Sequence, residues 1–157
     1  MEDEGVAVLV LHVQGRPLAV DMQQVETLRR KETVYPPPPG VPGLLGFLPL
    51  GTTLVPIVDL GSRLGMSQRG GTQTGLLVVP PEAVTPLAFY VDQVAGPIHL
   101  SWNDLALVPD LVRELQPRPI TWAMARQGDE VVPLLDLRQL VPPEEVATLL
   151  EMAAHLA

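Results

Sequence analysis

The sequence predicts a mainly β protein built from two copies of one small barrel-like unit, and three observations predict it. Residues 54–60 read LVPIVDL and residues 131–137 read VVPLLDL, nearly the same seven letters twice. PLAVDMQQV at 17–25 is similar to PLAFYVDQV at 86–94, so both phrases recur in the same order on either side of a glycine-rich stretch. The apolar runs are short, rich in valine and bounded by glycine and proline, as buried strands are. A solenoid would need more copies than two.

The elements follow in order. VAVLVLHV at 6–13 is a continuous apolar run and predicts a buried strand, with GRP at 15–17 as its turn and LAV at 18–20 starting the return strand. DMQQVETL at 21–28 predicts one helical turn capped by Asp21, then extended chain. YPPPPGVPG at 35–43 carries five prolines, which remove backbone donors, so it is expected to be a polyproline-like crossing loop. LLGFLPL and TTLVPIVDL predict two strands joined near Gly51. GSRLGMSQRGGTQTG at 61–75 is polar, and its second half is the best internal boundary. LLVV at 76–79, LAFYV at 87–91 and GPIHL at 96–100 predict strands, and DLALVPDLVREL at 104–115 a mixed connection. ITWAMAR at 120–126 and EVVPLLD at 130–136 predict a hairpin turning at QGD. The clearest helix is the last. Pro142 and Pro143 suit its first position, and Glu144 and Glu145 suit the positive end of its dipole. Val146, Leu149, Leu150 and Ala153 form its apolar stripe, continued by Leu156 and Ala157.

The repeat gives its own residues a structural reading. Pro56 and Pro133 cannot donate to a ladder and are expected at a strand edge or a bulge, which small barrels need in order to bend. Asp59 and Asp136 are expected to cap single helical turns whose leucines plug the barrel ends.

Composition narrows the function classes. The 157 residues are 46% hydrophobic but only 4% aromatic, so the core must be aliphatic. Charged residues are 18%, a low share that points to apolar surface kept for a partner. A net charge of −8 argues against nucleic acid and anionic lipid, where basic patches supply most of the affinity. The one basic cluster is Arg29-Arg30-Lys31. The absence of cysteine excludes disulfides, thiolate zinc sites and a cysteine nucleophile. The acidic start MEDEGVAVLVLHV lacks a basic signal-peptide region, and no apolar run reaches the ~20 residues of a membrane helix. A soluble, cytoplasmic protein is expected.

Residues for chemistry are few. Asp59, Asp92 and Asp136 occupy repeat positions, which favours a scaffold role over acid–base catalysis. His12, His99 and His155 have no metal-ligand spacing. Ser62, Ser67 and Ser101 lie in no GxSxG elbow, and Gly70-Gly71 is followed by no GK[ST]. Trp102 and Trp122 lack the basic neighbours of a nucleic-acid stacking platform. No catalytic residue, metal or cofactor is predicted.

Taken in order, these residues resemble the CheW-like domain, the coupling adaptor of bacterial chemosensory systems. The family's YGIDIxxVxEI is matched by LAVDMQQVETL, with Asp21 and Val25 in place and Thr27 where the family has glutamate. Its GVINLRGxVVPVIDL is matched by GFLPLGTTLVPIVDL, from Gly46 to Leu60. Its GLVVDEVxxV is matched by LAFYVDQVAGPI, carrying Val91, Asp92 and Val94. Its closing xxLLDLxxLL and helix are matched by VPLLDLRQLV and 142–157. The asparagine, arginine and glycine of the family's NLRG are here Pro49, Gly51 and Thr52, and that arginine is among the residues the family uses for partner contact.

The resemblance implies two five-stranded barrels packed side by side. The expected subdomains are 15–69, then 75–141 with the N-terminal strand, followed by the helix 142–157. It implies a non-enzymatic adaptor between a chemoreceptor's cytoplasmic tip and the regulatory domain of a CheA-type histidine kinase. The pathway would be chemotaxis or pilus or gliding motility, in the cytoplasm, at membrane-associated receptor arrays. By family position, Val25, Gly46, Leu50, Gly51 and Val91 are expected near the contact surfaces. The valines read equally as core, and the glycines as turns needing positive φ. The competing class is a small β-barrel ligand carrier or enzyme with an apolar pocket.

Overall fold

The computed structural model describes residues 4–30, 35–66 and 75–156. Lys31, the 70–74 part of the expected boundary and Ala157 lie outside them. Eleven strands form two sheets among the described residues. The first-half strands are β1 (Gly5–Val13), β2 (Arg16–Asp21), β3 (Thr27–Arg30), β4 (Leu44–Leu50) and β5 (Thr53–Asp59). They are followed by β6 (Leu76–Val79), β7 (Ala88–Val91), β8 (Gln93–Ser101), β9 (Leu105–Leu107), β10 (Thr121–Gln127) and β11 (Glu130–Leu135). The helices are α1 (Leu60–Arg63), α2 (Asp110–Arg113) and α3 (Pro143–Leu156).

The strand orders are β8-β1-β2-β11-β10-β9 and β3-β6-β7-β5-β4. They show how the repeat is used. β5 pairs with β7 in parallel, with Ile57 opposite Ala88 and Val58 opposite Phe89. β11 pairs with β2 in parallel, with Leu134 opposite Ala19 and Leu135 opposite Val20. These are the same phrase positions in the same register. The hairpins agree too. In β4–β5 Pro56 faces Phe47, and a bulge separates Leu44 from Gly46. In β10–β11 Pro133 faces Met124, and a bulge separates Thr121 from Ala123. Even the closing hydrogen bonds recur: the N–H of Asp59 donates to the Gly43 carbonyl at 2.9 Å, and that of Asp136 to the Ile120 carbonyl at 2.8 Å.

Each barrel therefore takes strands from both repeats. The first-repeat strands β1 and β2 join second-repeat strands β8, β10 and β11, while β6 and β7 join β3, β4 and β5. This corrects the expected boundaries at 15–69 and 75–141. β2 belongs with the later strands and β6 and β7 with the earlier ones, because a parallel pair cannot be closed by a tight turn and each PLA strand finds its parallel partner in the other copy. It also corrects the strand count, since β9 adds a sixth strand to one sheet.

Alternation along the central strands explains their unbroken apolar runs. Val8, Ala19, Ala123 and Leu134 fill one barrel, while Ile57, Leu77, Ala88 and Tyr90 fill the other. Their neighbours Leu9, Val20, Val58, Phe89 and Leu135 point the other way, into one cluster between the barrels. Both faces of these strands are buried, so no polar alternation appears. Leu60 and Leu137, expected to plug barrel ends, lie in that same central cluster.

The prolines sit in the interior strands β5 and β11 rather than at an edge strand or in the bulge itself. The parallel ladders begin one residue later, at Ile57 and Leu134, so the missing donor of Pro56 or Pro133 falls outside them. On α3, Leu149 and Ala153 are buried and Val146 packs against the central cluster, but Leu156 is exposed, so the stripe ends before it.

Candidate functional site

The aspartates of the repeat serve structure. The N–H of Arg138 donates to the Asp136 carboxylate at 3.1 Å, which caps the 3-10 turn 137–139. The Gln24 amide reaches across from the turn after β2. Its Nε2 donates to Asp136 Oδ1 at 2.9 Å, and its Oε1 accepts from the N–H of Leu137 at 2.8 Å. Arg138 also pairs with Asp136, at 3.0 Å. Burial pushes the Asp136 carboxyl up, but the hydrogen bonds from Arg138 and Gln24 and the Arg138 charge outweigh it and hold it below its ordinary value. Asp92 accepts from the N–H of Gln14 at 2.7 Å and ties down the β1–β2 turn, and Asp21 caps the turn 22–24. Asp59 is buried and makes no capping bond to α1, contrary to the expected cap. Its chain position is instead fixed through its backbone N–H. No group of three or more His, Asp or Glu side chains able to hold a metal occurs among the described residues.

The five expected contact residues separate. Leu50 and Gly51 lie at the end of β4 and in its turn to β5; Leu50 is half-buried and Gly51 exposed, with φ +60°. Gly46 is buried at the β4 bulge with φ +142°. Val25 is half-buried against the central cluster. Val91 is fully buried in that cluster, so its side chain offers no surface. The structure thus brings Leu50 and Gly51 together at one exposed turn and leaves Val91 in the core.

Two depressions occupy related positions of the repeat. A cleft of about 560 Å³ is lined by Leu54, Pro86 and Leu87 and walled by Leu150 and Ala153 of α3. A groove of about 400 Å³ is lined by Val131, Pro17 and Leu18, the same phrase positions in the other copy. It lies between the barrels, since its far wall is Leu64 and Met66, just after α1. The segment following each DL phrase thus crosses to the opposite barrel. After β11 that segment is a 14-residue helix. After β5 it is one four-residue helix. The long helix leaves Leu54 half-buried, whereas Val131 is 59% exposed. The family resemblance implies a groove between the barrels for a receptor hairpin tip, but the sequence reading did not single out Val131, Pro17 and Leu18 as its lining. Its signal was present: only one of the two DL phrases is followed by an amphipathic helix.

A further apolar region lies on β9, the edge of the six-stranded sheet, and on α2 and its C-terminal flank. Leu107, Leu111 and Leu115 are exposed there, and Val112 with them. Trp102 is exposed as well, just before β9. Together they account for the low charge density of the sequence as exposed apolar surface. No helix of the described residues is long and apolar enough to cross a membrane.

The geometry can be set beside known proteins. The chain is 24% identical over 141 residues to the chemotaxis protein CheW of Rhizobium meliloti (strain 1021), covering 90% of each chain. Its fold is similar to the crystal structure of the scaffolding protein TtCheW from Thermoanaerobacter tengcongensis, with a TM-score of 0.69 at 16% identity, over 83% of this chain and 88% of that one. The family profile of the CheW-like domain matches residues 7–145, and with two intertwined barrels behind that match, the chain belongs to the CheW-like domain family.

Proposed function

We propose that this protein is a non-enzymatic adaptor that couples a chemoreceptor to a CheA-type histidine kinase in a bacterial chemosensory pathway, acting in the cytoplasm at receptor arrays. The observation that carries this reading is the inter-barrel groove at Val131, Pro17 and Leu18. Its counterpart in the same molecule is walled by an amphipathic helix, α3, which packs beside the same phrase positions, so a helix fits the groove as well. A receptor's helical hairpin tip presents such a helix, and an apolar stripe laid in an apolar groove is a recurrent mode of recognition. The exposed leucines of β9 and α2 offer the second surface, suited to barrel-to-barrel contact with the kinase's homologous regulatory domain. The Leu50–Gly51 turn would belong to the partner surface as well, with Gly46 at the bulge of the same strand and Val25 on the central cluster. Membership of the CheW-like family and the names of the two similar proteins support the same reading. Where the family has arginine this chain has Gly51, which fits a specialised adaptor of pilus or gliding motility as well as one of swimming.

The test is titration calorimetry with two purified partners, a receptor tip hairpin and a kinase regulatory domain. Val131→Arg places a cation in the groove and should weaken hairpin binding by tenfold or more, about 1.4 kcal/mol, while kinase binding stays. Gly51→Arg should change kinase binding and leave the hairpin alone. Because φ is +60° with open space around the Cβ, that variant should lose only about 1 kcal/mol of stability. Absence of binding to both partners overturns the reading.

A further inference from the structure

Among the residues that line the inter-barrel groove, Arg16 alone is charged, and apart from Thr121 the rest are apolar. Its place follows from strand alternation. Leu18 and Val20 of β2 point into the central cluster, and Arg16 stands two residues before Leu18 on the same face. Val131, Pro133 and Leu135 of β11 line the groove at the same period. Arg16 is exposed, and among the described residues it makes no ion pair. The repeat supplies a comparison inside the molecule. Arg16 precedes Pro17-Leu18-Ala19, and Thr85 precedes Pro86-Leu87-Ala88. Thr85 lines the cleft walled by Leu150 and Ala153 of α3 and is only 7% exposed. The copy that has its own helix therefore carries a small neutral residue at this position, and the copy without one carries a cation. A helix presenting Leu150 and Ala153, as α3 does in its own cleft, would cover Arg16 with no counter-charge, which desolvation penalises.

We propose that Arg16 selects the occupant of the groove: a partner helix that carries a carboxylate at the edge of its apolar stripe, in register with Arg16. The inference rests on the adaptor reading and names which hairpin the groove accepts. A guanidinium fork can donate two parallel hydrogen bonds to one carboxylate, and its stem can lie along apolar neighbours while the head stays at the rim. The chain as a whole has a net charge of −8, so an acidic helix has no general attraction to it. A single cation set in an apolar groove reverses that sign locally. Such a charge fixes register and excludes wrong partners more than it adds affinity.

The test is titration calorimetry of the full chain with a purified receptor tip hairpin, and with hairpin variants in which each Glu or Asp is replaced singly by Gln or Asn. Arg16→Gln should weaken the parent hairpin about fivefold. One hairpin carboxylate should account for that loss. Its neutral variant should bind the parent chain about fivefold more weakly, and should bind Arg16→Gln no worse than the parent hairpin does. Arg16→Glu, combined with arginine in place of that carboxylate, should restore binding that either change alone loses. Added NaCl should close part of the gap between the parent chain and Arg16→Gln. Because Arg16 is exposed, Arg16→Gln should keep the parent's urea midpoint. Hairpin binding that responds to Val131→Arg but not to Arg16→Gln overturns this proposal and leaves the adaptor reading standing. So does a loss at Arg16→Gln that no hairpin carboxylate shares. A hairpin that binds neither chain overturns both. Concentration-dependent dimers of the parent chain in sedimentation velocity, lost in Val131→Arg, would put a second copy's α3 in the groove and overturn the proposal.

Discussion

Asp136 and Asp59 hold the same place in the repeated phrase and differ in what they touch. Asp136 caps a turn and accepts the Gln24 amide from the chain that leaves the same end of the neighbouring parallel strand β2. Removing these bonds by Asp136→Ala should destabilise the fold by about 1–2 kcal/mol, with the exposed Arg138 pair adding little. The sign with pH follows from the depressed carboxyl. A group held lower in the folded chain than in the unfolded one stabilises fully above its unfolded value, about 4, and loses that contribution as pH falls through the folded one. The gap between parent and variant in urea denaturation should therefore be full at pH 7 and shrink below about pH 4. A gap that widens on acidification would contradict the assignment. At Asp59 the absence of a cap means that Asp59→Asn does not act through α1.

At the scale of the element, α3 shows how an ordinary helix comes to organise two barrels. Pro143 starts it, and Glu144 and Glu145 sit in its first turn, where the dipole favours acids. Arg63 of α1 grips Glu145 with both terminal nitrogens, at 2.9 and 3.1 Å, and its Nε donates to the Leu140 carbonyl at 3.3 Å. Packing does the larger part. Leu149→Ala removes a buried side chain from the central cluster and should cost about 2–4 kcal/mol. Leu156→Ala should stay within about 0.5 kcal/mol, because that side chain is exposed. Chemical denaturation of the two variants reads the contrast, and equal losses would mean that the apolar stripe extends to the last turn after all. Most of the elements were legible in the sequence: apolar runs gave the strands, proline and acids gave the start of α3, and Asp21 gave its short turn. The lining of the groove at Val131 was legible only through the helix that follows one DL phrase and not the other, because Leu54 and Val131 are equivalent in the phrase and tertiary packing covers one and exposes the other. Of the two readings the sequence leaves open for Val91, contact surface or core, its side chain takes the core, since both faces of β7 are buried.

At the scale of the molecule, the repeat is a duplication whose halves are exchanged. A simple tandem would let each copy close its own barrel, and 17–60 and 86–137 would be two folding units. Here β2 needs β11 and β7 needs β5, in matching parallel registers. The sequence announces the duplication but not the exchange, because closely similar phrases fit either partner and only the connections decide. This gives a sharp expectation for fragments 1–66 and 75–157. Alone, each lacks the parallel partner of a central strand and leaves an apolar sheet face uncovered, so each should remain largely unfolded. Mixed in equal amounts, they should regain the β-sheet circular dichroism and the cooperative melting of the intact chain. Recovery should depend on concentration, since a bimolecular step replaces an internal one. The alternative outcome is as clear. If 75–157 folds alone with a cooperative transition, the exchanged pairing is not what holds the barrels together, and the two copies are independent domains joined by a linker.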